Sequence, residues 1–251
     1  MPTFVHGKTS KVYVDEFDLS GYFNAADATI TNSTEDTTAF GATSKAFIVG
    51  LQDGTVSLSG MWSADTDGSD EELQAILGAT TTPLLTIAED AGTIGNRAIV
   101  AKAHETSYAV SNPVEGVSAV SADFQSSTGG TTNVTHAISA GVQLTTGASI
   151  AFGSLGDLGS VDNAASSANG GIGVLHVPTN TVAGGVTTIK VQHSADDASW
   201  ADLITFSSVA AATATSEMSA VSGTVNRYLR ATASTAGGSG SITFAITFAR
   251  F

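Results

Sequence analysis

Ser241-Ile242-Thr243-Phe244-Ala245-Ile246-Thr247-Phe248 alternates large apolar with small or polar side chains without a break. A period of two places Ile242, Phe244, Ile246 and Phe248 on one face of an extended strand. Gly237-Gly238-Ser239-Gly240 stands before it and reads as a hairpin turn. Shorter segments of the same kind recur upstream at 172–177, 186–192, 203–206 and 227–233, each bounded by Gly, Asn, Asp or Ser. Strands at this spacing without intervening helices predict a sandwich or jelly roll of about 100 residues. The Gly-, Ser-, Ala- and Asn-rich stretch 153–173 reads as a linker or long loop in front of them.

The first half carries the same signature with one exception. Strands are expected at 11–14, 26–31, 47–49, 55–62, 84–87, 97–104 and 114–124, with a polar interruption over 32–44 and a Gly129-Gly130 loop. Within 55–62, Val56, Leu58 and Trp62 share a face, with Gly60 between them. The exception is a helix over about 69–78. Ser69-Asp70-Glu71-Glu72 fits a capping box with Ser69 at the N-cap; Leu73, Ile76 and Leu77 make an apolar stripe; Gly78 suits the left-handed C-terminal position. At about three turns, it needs a sheet to pack on.

Composition narrows the function. Charged residues make up 13% of the 251 and apolar residues 42%, against a usual charged share of about 25%. Ser, Thr, Ala and Gly fill the gap, and a surface with so little charge suits burial between sister subunits. The net charge of −14 opposes tight binding of nucleic acid, which needs Lys and Arg on the phosphates. It does not oppose a surface past which DNA slides. Residues 1–141 hold 17 acids and 5 bases, whereas 142–251 hold 6 acids and 4 bases. That asymmetry suggests two regions with different surfaces, divided near 142 with a margin of 130–165.

Site chemistry is sparse. There is no cysteine, hence no disulfide or thiol chemistry. The start has no apolar leader core, and no stretch of about 18 apolar residues could span a membrane. His6, His104, His136, His176 and His193 are scattered without metal-ligand spacing and read as surface histidines. Asp65-Thr66-Asp67-Gly68-Ser69-Asp70 looks like a calcium loop, but Gly and the bidentate acid are misplaced, and the helix cap explains the same residues. Asp196-Asp197 reads as an ordinary turn, and no nucleophile elbow or phosphate loop occurs. Trp62 and Trp200 read as core anchors, with Trp200 the one candidate for an exterior ligand contact such as a sugar.

The N-terminal region resembles the major tail (tube) proteins of long-tailed bacteriophages. The likeness rests on Phe4-Val5-His6-Gly7-Lys8, Val12-Tyr13-Val14-Asp15 and Phe17-Asp18-Leu19-Ser20. It continues through Asp36-Thr37-Thr38-Ala39-Phe40-Gly41, the run from Phe47-Ile48-Val49-Gly50 to Leu51-Gln52-Asp53-Gly54, and Val56-Ser57-Leu58-Ser59-Gly60 with the helix beyond, over about 3–125. The C-terminal part is similar to the appended domains of such proteins through Val191-Gln192-His193-Ser194-Ala195-Asp196, Ser199-Trp200-Ala201-Asp202-Leu203 and Asn226-Arg227-Tyr228-Leu229-Arg230-Ala231.

The resemblance implies a mainly β protein: a tail-tube β-sandwich or barrel with one short flanking helix over 1–141, then a second β-sandwich or jelly-roll-like domain over 142–251 on the exterior. It implies a non-enzymatic virion protein, assembled in the bacterial cytoplasm, with no cofactor or metal. Its copies would form rings, hexameric or built as a trimeric pseudo-hexamer, that stack into a conduit for DNA. Tape-measure, tail-tip and tail-terminator proteins would be its further partners. The loop at about 32–54 would touch a neighbouring subunit through Thr34, Glu35, Asp36, Phe40, Lys45, Phe47, Gln52 and Asp53. Which acids face the lumen is not assigned. A carbohydrate-binding or capsid-decorating module using Trp200 is the alternative, and a two-acid hydrolase a third reading.

Overall fold

The computed structural model describes residues 6–90, 93–128 and 136–251. Phe4-Val5 and the Gly129-Gly130 loop lie outside the described residues. The chain is mainly β, with antiparallel sheets and, among the described residues, a single α-helix and no closed barrel. The first half holds β1 (Lys11–Val14), β2 (Phe17–Asp18), β3 (Phe23–Asp36), β4 (Phe47–Met61), α1 (Ser69–Ile76), β5 (Leu84–Ala88), β6 (Arg97–Ser111) and β7 (Ala119–Ser126). The second holds β8 (Ile138–Gln143), β9 (Ser149–Ala151), β10 (Asp157–Asp162), β11 (Gly171–Asn180), β12 (Thr187–Ser194), β13 (Ala201–Thr205), β14 (Thr215–Val221), β15 (Tyr228–Thr235) and β16 (Ser241–Arg250).

The long strand β6 organises the first half. Its opening residues pair with β5 on one side and β8 on the other, and its later residues pair with β7. One layer is therefore β2–β1–β5–β6 and the other is β3–β4–β7–β6. Between them lie Val12, Val14, Leu19, Val56, Leu58, Leu85, Val120, Ala122, Phe124 and Ile138, with Leu73 of α1 closing the cluster. Gly60 is required where β3 begins. A β-carbon there would fall 2.1 Å from the Tyr22 carbonyl oxygen, so only glycine lets the two chains approach.

The second half is a sandwich of β14–β11–β16 on the four-stranded sheet β10–β15–β12–β13. The expected face of β16 is found: Ile242, Phe244, Ile246 and Phe248 are all fully buried, packed with Val177, Ile189, Val191, Leu229 and Ala231. Because β8 pairs with both β6 and β16, one sheet runs through both halves. The outer face of β11 and β16 packs Ile172, Val174 and Ala249 on Leu84 and Val100.

Several expectations are corrected. The polar interruption expected at 32–44 is shorter and displaced: β3 runs on to Asp36, the break covers 37–46, and 47–49 and 55–61 form one strand, β4, whose register on β3 shifts at Asn32/Thr34. The expected strand 114–124 begins only at Ala119, because the Pro113 segment forms the loop of the β6–β7 hairpin. The stretch 153–173 is no plain linker; Val161 of β10 is buried and pairs with Leu229. The Gly237–Gly240 turn has positive φ at three glycines, yet it joins strands of opposite sheets and so is not a hairpin. At α1 the N-cap is Gly68. The Ser69 hydroxyl donates to the Met61 carbonyl (3.0 Å) and accepts from the Ser63 amide, which ties the helix to the end of β4 instead of capping it. Gly78 does adopt φ 72, as expected after the helix.

His176 is also not a surface histidine. It is wholly buried where the halves meet, its ring stacked on Tyr13 with centroids 5.3 Å apart. Its Nδ1 faces the Asp15 carbonyl, an acceptor only, so Nδ1 carries the proton and Nε2 accepts from the Thr86 hydroxyl at 2.7 Å. Burial pulls its pKa down to about 4.

Candidate assembly surfaces

The β3–β4 hairpin outgrows its sheet. β4 pairs with β7 only from Thr55 to Met61, so beyond Gly54 the two strands continue with no third strand beside them among the described residues. Every residue from 31 to 53 is exposed. At about 3.3 Å per residue the paired arm reaches roughly 20 Å beyond the sheet. Phe40 (111% exposed), Leu51 (85%), Val49 (72%), Ile48 and Phe47 all face solvent along it. An isolated two-stranded ribbon is marginal in water, and clustered exposed apolar side chains mark a contact surface.

All eight residues expected to contact a neighbour lie on this arm. Thr34, Glu35 and Asp36 pair with Val49, Ile48 and Phe47. Asp36 accepts from the Thr38 amide at 2.8 Å and sits 3.7 Å from the Lys45 ammonium. Hydrogen bonding from Thr38, more than Lys45, holds its pKa below the usual carboxylate range. Lys45 also lies over the Phe47 ring, and Phe40 stands at the tip. Gln52 pairs with Asn32 nearer the root. Asp53 anchors that root, accepting from the Gly54 amide (2.8 Å), Gln125 Nε2 (2.5 Å) and the Ser126 hydroxyl (3.2 Å). Ile48, Val49 and Leu51 were not in the expected set. The sequence reads 47–49 only as a strand, and nothing local says which of its side chains face solvent.

The β3–β4–β7–β6 sheet has two open edges. β3 pairs only with β4, and beyond Ala103 β6 pairs only with β7 among the described residues. All three pairings are antiparallel, so β3 and β6 run in opposite senses. Natural proteins rarely leave such edges unprotected. The sheet's outward face is small and polar: Ala25, Asp27 and Thr29 on β3, Thr55, Ser57 and Ser59 on β4, Ser121 and Asp123 on β7. Asp123 accepts from Ser57 (2.7 Å) and Ser107 (2.8 Å), which holds its pKa down and keeps it ionised. β3, β4 and β7 contain no Lys or Arg.

Trp200 is half-buried, with the Arg230 guanidinium 4.2 Å from its ring centre. Arg230 in turn donates to Gln192 (2.9 Å) and Asp157 (2.7 Å). The ring face nearest this network is therefore already taken. Asp196 is the acceptor of its own turn, bonded to Ser194, Ala198 and Ser199, which holds its pKa well below the usual carboxylate value. Asp70 of the calcium-like run accepts from Tyr108 and from Gln74 at 2.8 Å.

No protein-family model matches the chain, and no curated protein matches it in sequence. Among solved structures, a chain of the virion of a native gene transfer agent particle is similar at 16% identity and TM-score 0.41, over 49% of this chain and 93% of that one. A chain of the tail of an empty gene transfer agent particle, refined with C6 symmetry, gives 16% and 0.39 over the same shares. The SPP1 Dit protein, described as a paradigm of hub adsorption apparatus in phages infecting Gram-positive bacteria, gives 11% and 0.36 over 96% of this chain and 99% of that one. Likeness at this level does not set the function of the present chain.

Proposed function

We propose that this chain is a non-enzymatic structural subunit of a bacteriophage tail, whose copies close into rings and stack into a tube through which DNA passes. The carrying observation is the four-stranded sheet with two open edges of opposite sense, extended by an exposed apolar arm. A β3 edge laid beside the β6 edge of another copy continues the antiparallel alternation, and rotation repeats the contact until the ring closes. Closure removes both exposed edges. The arm then reaches beyond its own sheet to a copy in the next ring.

In this arrangement the outward face, with Asp27 and Asp123 among hydroxyls, lines the channel. Fixed negative charge without Lys or Arg repels phosphate, so DNA moves without being held. The resemblance of 3–125 to tail-tube proteins supports the reading and favours six copies per ring. The second half, attached through β8 and β16, would decorate the exterior. Negative-stain electron microscopy of the purified protein tests this: rings or tubes are expected, and dispersed monomers at high concentration overturn it.

A further inference from the structure

Large apolar side chains stand exposed at both ends of the β3–β4–β7–β6 sheet. One end is the arm, with Phe40, Phe47, Ile48, Val49 and Leu51. The other is the β6–β7 hairpin with the finish of β4. There Val114 (103% exposed) and Val117 (68%) stand on the 112–118 loop, beside the exposed Val110 and Met61. The Trp62 amide donates to the Ser118 carbonyl at 2.9 Å, which ties this loop to the strand. Elsewhere among the described residues, only Leu77 and Val186 are large, apolar and exposed.

The two patches cannot meet within one chain. Phe47 and Met61 begin and finish the same 15-residue strand, which holds them roughly 45 Å apart. Clustered apolar surface marks a contact site, and two such clusters at opposite ends of one sheet suit a contact that repeats head to tail. The arm's five side chains offer on the order of 500 Å² of apolar surface. That is a large part of the about 800 Å² per partner that a stable contact buries.

Charge decides which end meets which. The tip of the arm, 37–46, carries Lys45 as its single charge, and the opposite end, 106–118, carries Glu115 as its own. Both are exposed. The 3.7 Å pairing of Lys45 with Asp36 leaves the lysine side chain 73% exposed, and a pair so open to water holds little. Arm against arm would set Lys45 against Lys45, and hairpin against hairpin Glu115 against Glu115. Arm against hairpin sets unlike charges together, which favours it over either symmetric contact.

We infer that the β6–β7 hairpin end of one copy is the seat for the β3–β4 arm of a second copy, with Phe40 and its neighbours covering Val110, Val114, Val117 and Met61. This rests on the assembly reading above, in which the lateral edges close the ring and the strand ends face along the tube. It adds the surface that receives the arm.

The chain contains no cysteine, so introduced ones report the contact directly. Ala39→Cys and Val114→Cys are small changes at exposed positions on the two ends. Within one copy they lie far beyond the roughly 7 Å across which a disulfide forms, so any bond joins copies. After mild oxidation of the assembled protein, the double variant is expected to give a ladder of trimers and larger species on a non-reducing denaturing gel, and each single variant to stay monomeric. Abundant dimers from Ala39→Cys alone, or an assembled double variant without a ladder, overturn the seat. A Val114→Asp, Val117→Asp variant, shown folded by circular dichroism, is expected to form rings while needing roughly tenfold more protein to form tubes. Tubes formed as readily as by wild type overturn the seat too. Wild-type rings that never stack overturn it and leave ring closure standing, whereas a wild-type chain that never assembles overturns the assembly reading as well.

Discussion

The two halves are built from the same kind of strand and treat their apolar residues in opposite ways. In the second half, Phe244 and Phe248 point into a closed sandwich and are fully buried. In the first half, Phe40, Phe47 and Ile48 stand in water on an arm that no other strand supports among the described residues. Charge follows the same division. Arg227, Arg230 and Lys190 of the second half are each paired with a carboxylate, Asp162, Asp157 and Asp202, whereas acids far outnumber bases before residue 142. Both halves have sheet edges, but the second buries its large apolar side chains within itself, and the first leaves an arm of apolar surface and an excess of acids for something else to satisfy. Strand content alone says nothing about this; the difference lies in where each strand's neighbours come from.

The contrast breaks most visibly if the arm is removed. Joining Thr31 to Asp53 by a two-residue Asn-Gly turn is expected to abolish assembly, a loss of over about 100-fold in sedimenting material, with the melting temperature of the single chain nearly unchanged. An arm that matters to the fold of its own chain would lower that melting temperature instead. Next come two matched truncations. Phe244→Ala should cost about 3–5 kcal/mol in a urea melt, as a large core side chain does. Phe47→Ala should change the same melt by no more than about 0.5 kcal/mol while weakening assembly.

Acidity separates the halves in a third way. Glu105, on β6, is 5% exposed with both carboxylate oxygens unbonded, and burial raises its pKa to about 8 from 4.5. A raised folded-state value means stability that is full below pH 4.5 and is lost as the pH rises through 8. His176 has the opposite sign. Its folded value of about 4 lies below the unfolded 6.5, so its contribution is present above pH 6.5 and is lost as the pH falls through 4. Glu105→Gln should therefore flatten the fall in stability between about pH 4.5 and 8, and His176→Gln the fall from about pH 6.5 down to 4, each by an amount on the order of a few kcal/mol in denaturant melts across pH. Slopes unchanged by either variant would remove both groups from the account. The smallest effect expected is that of Trp200→Ala: a loss on the order of 1 kcal/mol from the Arg230 stack, with assembly intact. Sugar binding by wild type that this variant abolishes would instead make that face a ligand site.

Much of the fold is legible in the residues. The alternation in β16, the Lys11–Val14 strand and the helix with Gly78 behind it can all be read from local pattern. What is not legible depends on distant partners. Ser69 looks like a cap until Met61 and Ser63 engage its hydroxyl. His176 looks ordinary until Tyr13, Asp15 and Thr86, far away in sequence, enclose it. The run at 47–49 reads as a strand, but nothing local says that its large side chains stand in solvent. The open edges are invisible too, since strand propensity does not report whether a neighbouring strand exists.

Strand β6 has a mechanical consequence. Its 15 residues are bonded to β5 and β8 at one end and to β7 at the other, and β8 passes the sheet on to β16. Tension applied along the arm acts parallel to these strands, so the cross-strand bonds share the load in shear and do not unzip one after another. The sheet is thus a girder through the whole chain, and stress entering at one end is borne by the second sandwich as well as the first.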